Sequence, residues 1–302
     1  MQHLVRLLSR FPKLPTDLRV LDLCTGSGCI PLLFHHDFYA ARDDVNLRIL
    51  GVDVSDEALR LATYNHKRVQ RNSDWVARGE VDFLKADILL NPIADQDDAT
   101  ALPLVTALNL RRFPYIWDIL ISNPPYISPS SYWKTTTRSV RIFEPKLALV
   151  PPPSDTKSSD FENGDTFYQT LLSIAQKVDS KVVLLEIADL DQALRVARRA
   201  RDMHVFDGIE IWRDQPDEPR SEPEWADGFA VCGQGNARSV VCWRGSGADW
   251  LQKEQNFGAV VYDTVANPNI KLDASWRLGP EATETTPVLE SHRAVPKRKK
   301  KS

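Results

Sequence analysis

Apolar positions along the chain fall into short unbroken runs separated by stretches of mixed polarity. The runs are residues 19–23 (RVLDL), 47–54 (LRILGVDV), 81–86, 118–122, 181–187 (KVVLLEI), 208–212 and 238–243. Runs of this length, rich in Val, Ile and Leu, read as strands buried on both faces. Helical spacing fills the gaps between them, at residues 29–39, 56–70 and 189–201. The second of these starts well, with Ser55 placed to cap it and two acids, Asp56 and Glu57, in its first turn. Leu4, Leu7, Leu8 and Phe11 share one helical face ahead of the first strand. Strands alternating with helices predict an α/β fold with a doubly wound, mostly parallel sheet of seven strands, the last of them antiparallel.

Three stretches break the alternation. Residues 90–115 are too long for a simple connection, although 99–110 has helical spacing; 151–163 is rich in Pro, Ser and Asp and reads as a mobile loop; 215–236 separates the final pair of strands. The pattern fades after Gly245, so one domain is expected over residues 1–245. A weakly structured extension, 246–302, follows it and ends in the basic run KRKKK at 297–301. A terminal basic run is most often a solvated tail, and it is the one place where nucleic-acid contact is expected.

Composition adds exclusions. With 42% apolar and 26% charged residues the chain can build a core, and a net charge of -3 argues against a whole-protein nucleic-acid binder. The four cysteines, Cys24, Cys29, Cys232 and Cys242, form no CxxC pair and read as free thiols in a reducing compartment; no metal site is expected. No run of about 18 apolar residues occurs, so no membrane helix is expected. The Arg- and Leu-rich opening, MQHLVRLLSRF, reads as an ordinary helix with a secondary likeness to a mitochondrial transit peptide.

Candidate chemistry sits where the strands end. After the first strand comes Asp22-Leu23-Cys24-Thr25-Gly26-Ser27-Gly28. Gly26 and Gly28 permit a tight turn and close approach of a cofactor, and Asp22 before the turn suits a ligand carrying positive charge. A carboxylate there would repel a phosphate; the amino-acid end of S-adenosylmethionine fits it better. Asp53 ends the second strand, where an acid accepts hydrogen bonds from ribose hydroxyls, and Asp87 ends the third, in reach of an adenine edge.

The fourth strand runs straight into Asn123-Pro124-Pro125-Tyr126. Two prolines stiffen the loop and remove two backbone donors. The side-chain oxygen of Asn123 and the carbonyl of Pro124 can then accept both hydrogens of one NH2 group, aiming its nitrogen at an electrophilic methyl. Tyr126 offers a flat face for a planar amide or base.

Taken together, LDLCTGSG, GVDVS and NPPYIS resemble a class I methyltransferase of the HemK type, the protein-(glutamine-N5) methyltransferases, with its Rossmann-like fold. Phe143-Glu144-Pro145-Lys146-Leu147-Ala148-Leu149 is similar to that family's EPxxAL segment. Gly164-Asp165, Phe167-Tyr168, residues 184–187 (LLEI) and Gln192 also fit. The resemblance covers roughly residues 4–243. It implies methylation of a glutamine side-chain amide, with the Gly-Gly-Gln motif of a translation release factor as the usual acceptor and a ribosomal protein in one branch. It further implies S-adenosylmethionine held by Asp22, Gly26, Gly28, Asp53, Asp87 and Asn123. The glutamine would be held by Asn123, Pro124, Pro125 and Tyr126, with Asn123, Pro124 and Tyr126 directing transfer. The bacterial and organellar branch is the nearer one, which implies a mitochondrial setting in a eukaryote. Two features depart from the pattern: the chain begins almost at the first strand, without the family's N-terminal helical domain, and residues 151–163 replace a short Gly-rich turn. Two other readings stay open at this point. One is an adenine N6 methyltransferase on RNA or DNA, with Tyr126 stacking on a flipped base. The other is a non-catalytic methyltransferase-fold subunit that binds a partner.

Overall fold

The computed structural model describes residues 1–71, 76–90, 101–153, 159–218 and 223–253. The basic run at 297–301, most of the expected 246–302 extension and parts of all three inserts therefore lie outside the described residues. The apolar runs do become strands: β1 (Asp17–Leu23), β2 (Asn46–Asp53), β3 (Glu80–Lys85), β4 (Ile119–Ser122), β5 (Val182–Glu186), β6 (Gly208–Gln215) and β9 (Gln234–Trp243), and two more strands, β7 (Glu224–Ala226) and β8 (Phe229–Cys232), precede the last of them. The helices are α1 (Gln2–Arg10), α2 (Cys29–Ala41), α3 (Asp56–Val69), α4 (Leu104–Leu110), α5 (Pro129–Thr135), α6 (Arg138–Phe143), α7 (Ser159–Asn163), α8 (Tyr168–Lys177), α9 (Leu190–Asp202) and α10 (Gly247–Trp250), with a 3-10 turn at Lys146–Ala148.

Local sequence explains several of these boundaries. The Ser55 hydroxyl accepts the Ala58 N–H at 3.2 Å and caps α3, as its position predicts. Asp189 caps α9 in the same way, accepting from the Gln192 N–H at 2.9 Å.

The strands form one sheet in the order β3-β2-β1-β4-β5-β9-β6-β8-β7. The first five run parallel, and β9 joins antiparallel between β5 and β6. This is the doubly wound, mostly parallel arrangement with antiparallel C-terminal pairing that the pattern predicts. It carries nine strands among the described residues rather than seven. The two additional strands come from the 215–236 insert, whose β7 and β8 pair antiparallel, while β8 runs parallel to β6. Only three or four residues long, they carry too little periodicity to be read as strands from sequence. The Pro/Ser/Asp-rich insert likewise contains a helical turn, α7, at its end; residues 154–158 lie outside the described residues.

The sheet has a core on each face. Leu21, Leu23, Leu50 and Val52 point to one, with Leu171, Leu172 and Ala175 from α8 and Ala193, Val196 and Ala197 from α9. Val20, Ile49, Ile119 and Val182 point to the other, with Leu4 and Leu8 of α1, Phe34 and Phe38 of α2, and Trp250 and Leu251 from α10 and its end. Burial on both faces is why the central strands read as unbroken apolar runs. All four cysteines are free. Among the described residues no helix is long and apolar enough to cross a membrane.

Candidate active site

Strand order turns four separate motifs into one site. Sequence order reverses between β1 and β4, which are adjacent in the sheet. Open α/β sheets bind ligands in the crevice at such a switch point, beyond the carboxyl ends of the strands. Leu23 pairs with Ser122, so the glycine loop and the Asn123 loop leave neighbouring strands at the same level. The Ser122 hydroxyl, buried, donates to the Leu23 carbonyl at 2.7 Å and fastens the two exits together. Asp87, Asp53, Asp22 and Asn123 thus lie at or just beyond the ends of four consecutive parallel strands, β3-β2-β1-β4. At the usual strand spacing that row spans about 14 Å.

The glycine loop takes the conformation its residues permit. Cys24, Gly26 and Gly28 have φ of 62°, 54° and 76°. At Gly28 a Cβ would come within 2.9 Å of the Phe83 ring and 3.0 Å of Ala62, so glycine is required on both counts. At Gly26 a Cβ would meet nothing within 4 Å; that side of the loop is open. Gly51, on β2, is a further requirement that the sequence did not single out. A Cβ there would lie 2.6 Å from the Thr25 hydroxyl.

Asp22 is fully buried, and among the described residues neither of its carboxylate oxygens has a hydrogen-bond partner. Burial pushes its pKa up to about 8, against a smaller opposing effect of the Thr25 hydroxyl, with nearby Asp53 adding to the rise. A buried carboxylate without a counter-charge is costly. Its two free oxygens therefore fit a cationic, hydrogen-bond-donating ligand group, and the open face at Gly26 leaves room beside it.

Asp53 does more than the ribose role requires. Its Oδ2 accepts the Gly26 N–H at 2.8 Å and its Oδ1 accepts the Ser55 N–H at 2.9 Å. Each oxygen keeps a lone pair for a ligand hydroxyl, while the side chain also braces the glycine loop. Asp87 Oδ1 accepts the Leu89 N–H at 2.8 Å, and its backbone N–H donates to the Leu102 carbonyl at 2.9 Å. Among the described residues no three His, Cys, Asp or Glu side chains gather as metal ligands.

In the Asn123 loop, Asn123 is exposed while Pro124 and Pro125 are buried. The Tyr126 hydroxyl donates to Glu186 Oε1 at 3.3 Å, which fixes the ring. Its pKa is pushed up to about 12, by burial first and then by the Glu186 charge. Burial also raises the Glu186 carboxyl, against the hydrogen bond from Tyr126.

Behind the loop lies a brace of residues whose roles the sequence did not reveal. Gln192 Nε2 donates to the Tyr126 carbonyl at 3.2 Å, the Gly164 carbonyl at 3.3 Å and Asp165 Oδ1 at 3.0 Å. Gln192 Oε1 accepts the Ala188 N–H at 2.8 Å and the Tyr168 hydroxyl at 3.3 Å. Asp165, fully buried, takes a two-pronged pair from Arg195, with Nε at 2.6 Å and Nη2 at 3.0 Å. Gly164 packs so closely that a Cβ would sit 2.2 Å from the Tyr126 carbonyl oxygen. Their motif strings were visible in the sequence, but their convergence on Tyr126 was not.

A Rossmann-like sheet with a glycine loop and an Asn-Pro-Pro-Tyr loop at its switch point has the fold of the class I methyltransferases. No family model matches the chain. The proteins it matches in sequence include glutamine methyltransferases. It is 35% identical over 149 residues to the probable MRF1 mitochondrial N(5)-glutamine methyltransferase mtq1 of Schizosaccharomyces pombe, covering 49% of this chain and 40% of that one. It is 36% identical over 134 residues to a release factor glutamine methyltransferase of Chlorobaculum tepidum, covering 44% and 35%. The matches thus span less than half the length of these relatives. Among solved structures, magnesium protoporphyrin IX methyltransferase from Synechocystis PCC 6803 with bound SAM aligns at a TM-score of 0.37 and 12% identity, over 80% of this chain and 76% of that one, too low to carry weight.

Proposed function

We propose that this chain is an S-adenosylmethionine-dependent methyltransferase that modifies a glutamine side-chain amide in a protein, the Gly-Gly-Gln motif of a release factor. The observation that carries this reading is the unpartnered buried carboxylate of Asp22 one strand away from the exposed amide of Asn123. The sequence kinship with glutamine methyltransferases points to the acceptor, and the mitochondrial relative to a mitochondrial setting. Residues 1–245 supply this activity.

When bound, S-adenosylmethionine supplies an electrophilic methyl on a sulfonium. Asp22 receives the ammonium of its amino-acid end, Gly26 and Gly28 let it approach the backbone, Asp53 accepts from the ribose and Asp87 lies beside the base. Asn123, through its side-chain oxygen, and Pro124, through its carbonyl, accept the two hydrogens of the acceptor NH2. Held this way, the nitrogen presents its electron pair to the methyl, and the two oxygens face the positive charge that grows on it. Asn123 and Pro124 would keep hold of the amide while it takes up the methyl, and one of its N–H protons, acidic at that point, would leave to solvent. Pro125 stiffens the loop, and Tyr126, held by Glu186, gives the planar amide a fixed face.

The test is transfer of labelled methyl from S-adenosylmethionine to a purified release factor, with a Gln→Ala change in its Gly-Gly-Gln motif as control. Labelling that vanishes with the glutamine is the expected result. Labelling that survives it, or none despite measurable cofactor binding, overturns the assignment.

A further inference from the structure

Immediately beyond the Asn123 loop the chain makes an excursion, residues 128–149, that folds as α5, α6 and the 3-10 turn. Its two ends are tied to the site. Ser128 caps α5 by accepting the Ser131 N–H at 3.1 Å, and the Ile127 N–H donates to the Leu149 carbonyl at 2.9 Å. What lies between is unusual for a surface: α6 and the 3-10 turn bury no residue at all. Yet Trp133, Ile142, Phe143 and Leu147 are large and apolar, with 66%, 61%, 83% and 46% of their surface exposed. Four such side chains within fifteen residues are not the scattered single exposures any surface carries. Clustered apolar exposure marks an interaction site.

The charge on the same excursion identifies what covers it. Lys134, Arg138, Arg141 and Lys146 stand against the single carboxylate of Glu144, a local balance of +3 in a chain of net -3, which leaves -6 for the rest. Arg141 lies 5.6 Å from the centre of the exposed Trp133 ring, and Lys146 5.7 Å from that of Tyr132, which is buried beneath, so the cations sit against aromatic rings. An occupant must offer acidic groups among apolar ones. A nucleic acid fits less well. It has no use for exposed Ile142 and Leu147, and a long polyanion would soon meet the negative remainder of the chain.

We propose that α5, α6 and the 3-10 turn form the docking face for the methyl-acceptor protein, taking an acidic segment of it that presents apolar side chains near the target glutamine. This rests on the function proposed above. The face grips the acceptor beside the loop that holds the amide, so that docking and catalysis share one rigid base.

The test measures binding of a purified release factor, with S-adenosylhomocysteine present, to the full chain and to two variants, W133A/F143A and K134E/R138E. All four side chains stand on the surface, and thermal melts with cofactor titrations check that both variants keep fold and cofactor site. The expected result is an affinity loss of about tenfold or more in each variant, with salt weakening the wild-type complex far more than that of K134E/R138E. Affinity retained within about twofold in both variants, or no wild-type binding at about 100 μM, overturns the proposal. So does a short single-stranded RNA that binds the wild type and displaces the release factor. Methylation of a short Gly-Gly-Gln peptide, measured in parallel, separates the two ideas. Its absence counts against the glutamine-transfer reading, while the binding data alone decide the docking face.

Discussion

At the residue scale the site turns on a few polar groups, one of which, Asp22, is held where water cannot reach it. Asp22 has the clearest consequence. Its folded pKa of about 8 lies well above the ordinary carboxylate value, so the folded protein holds a proton there that the unfolded chain releases. The resulting stability is complete below about pH 4 and is lost as pH rises through about 8. Asp22→Asn should therefore flatten the cofactor-free stability profile between pH 4 and 8 in denaturant titrations, and weaken S-adenosylmethionine binding. A profile that keeps its slope would show that another group carries it. Asn123 should behave differently, because its side chain is exposed. Asn123→Ala should abolish methyl transfer while calorimetry finds cofactor affinity little changed; normal turnover would remove Asn123 from the reaction. Asp53 braces the glycine loop as well as taking the proposed ribose bonds, so Asp53→Ala should cost binding energy beyond the about 1.5–3 kcal/mol of hydrogen bonds to a charged acceptor.

At the scale of elements, the Asn123 loop is rigid because α9 and the start of α8 hold it from behind. Arg195 lies on the outer rim of this brace, a third of its side chain exposed, while its partner Asp165 is fully buried. Arg195→Met leaves that carboxylate, among the described residues, with Gln192 and, at 3.9 Å, Arg199. A loss of about 3 kcal/mol is expected, the low end for a buried charge deprived of its partner. Turnover should fall with it, as the Tyr126 carbonyl loses a rigid backing, and the two can be read together from urea melts and rates. A variant that loses stability but keeps full turnover would make the brace merely structural. These segments were legible as strings: GD at 164–165, FY at 167–168, LLEI and Gln192 each stand out from their surroundings. Their roles were not legible, because every bond of the brace except that between Ala188 and Gln192 joins residues 24 to 66 positions apart in the chain. No local periodicity encodes such a meeting.

For the molecule as a whole, stability should be graded across the sheet. Strands β4 and β5 are central and buried on both faces, whereas β7 is a three-residue edge strand with Trp225 half exposed. Amide exchange should be slowest in β4, β5 and β9 and fastest in the edge strands β3 and β7, following distance from the centre of the sheet. Equal protection in β7 would mean that something covers this edge.

What the sequence determined by itself follows from the physics of short range. Apolar runs bounded by glycine and polar residues fix strands, cap residues such as Ser55 fix helix starts, and loops that must take positive φ keep their glycines. That was enough to place β1 to β6 and β9, and to put the glycine loop and Asn123-Pro124-Pro125-Tyr126 each at the end of a buried strand. Only the tertiary structure decided which strands are neighbours, and so put Asp22 beside Asn123. The same holds for the Gly51 clearance, the brace behind Tyr126 and the apolar face left uncovered on α5 and α6. Each depends on contacts between segments far apart in the chain, whose closeness is settled by burying two cores at once and by no run of residues alone.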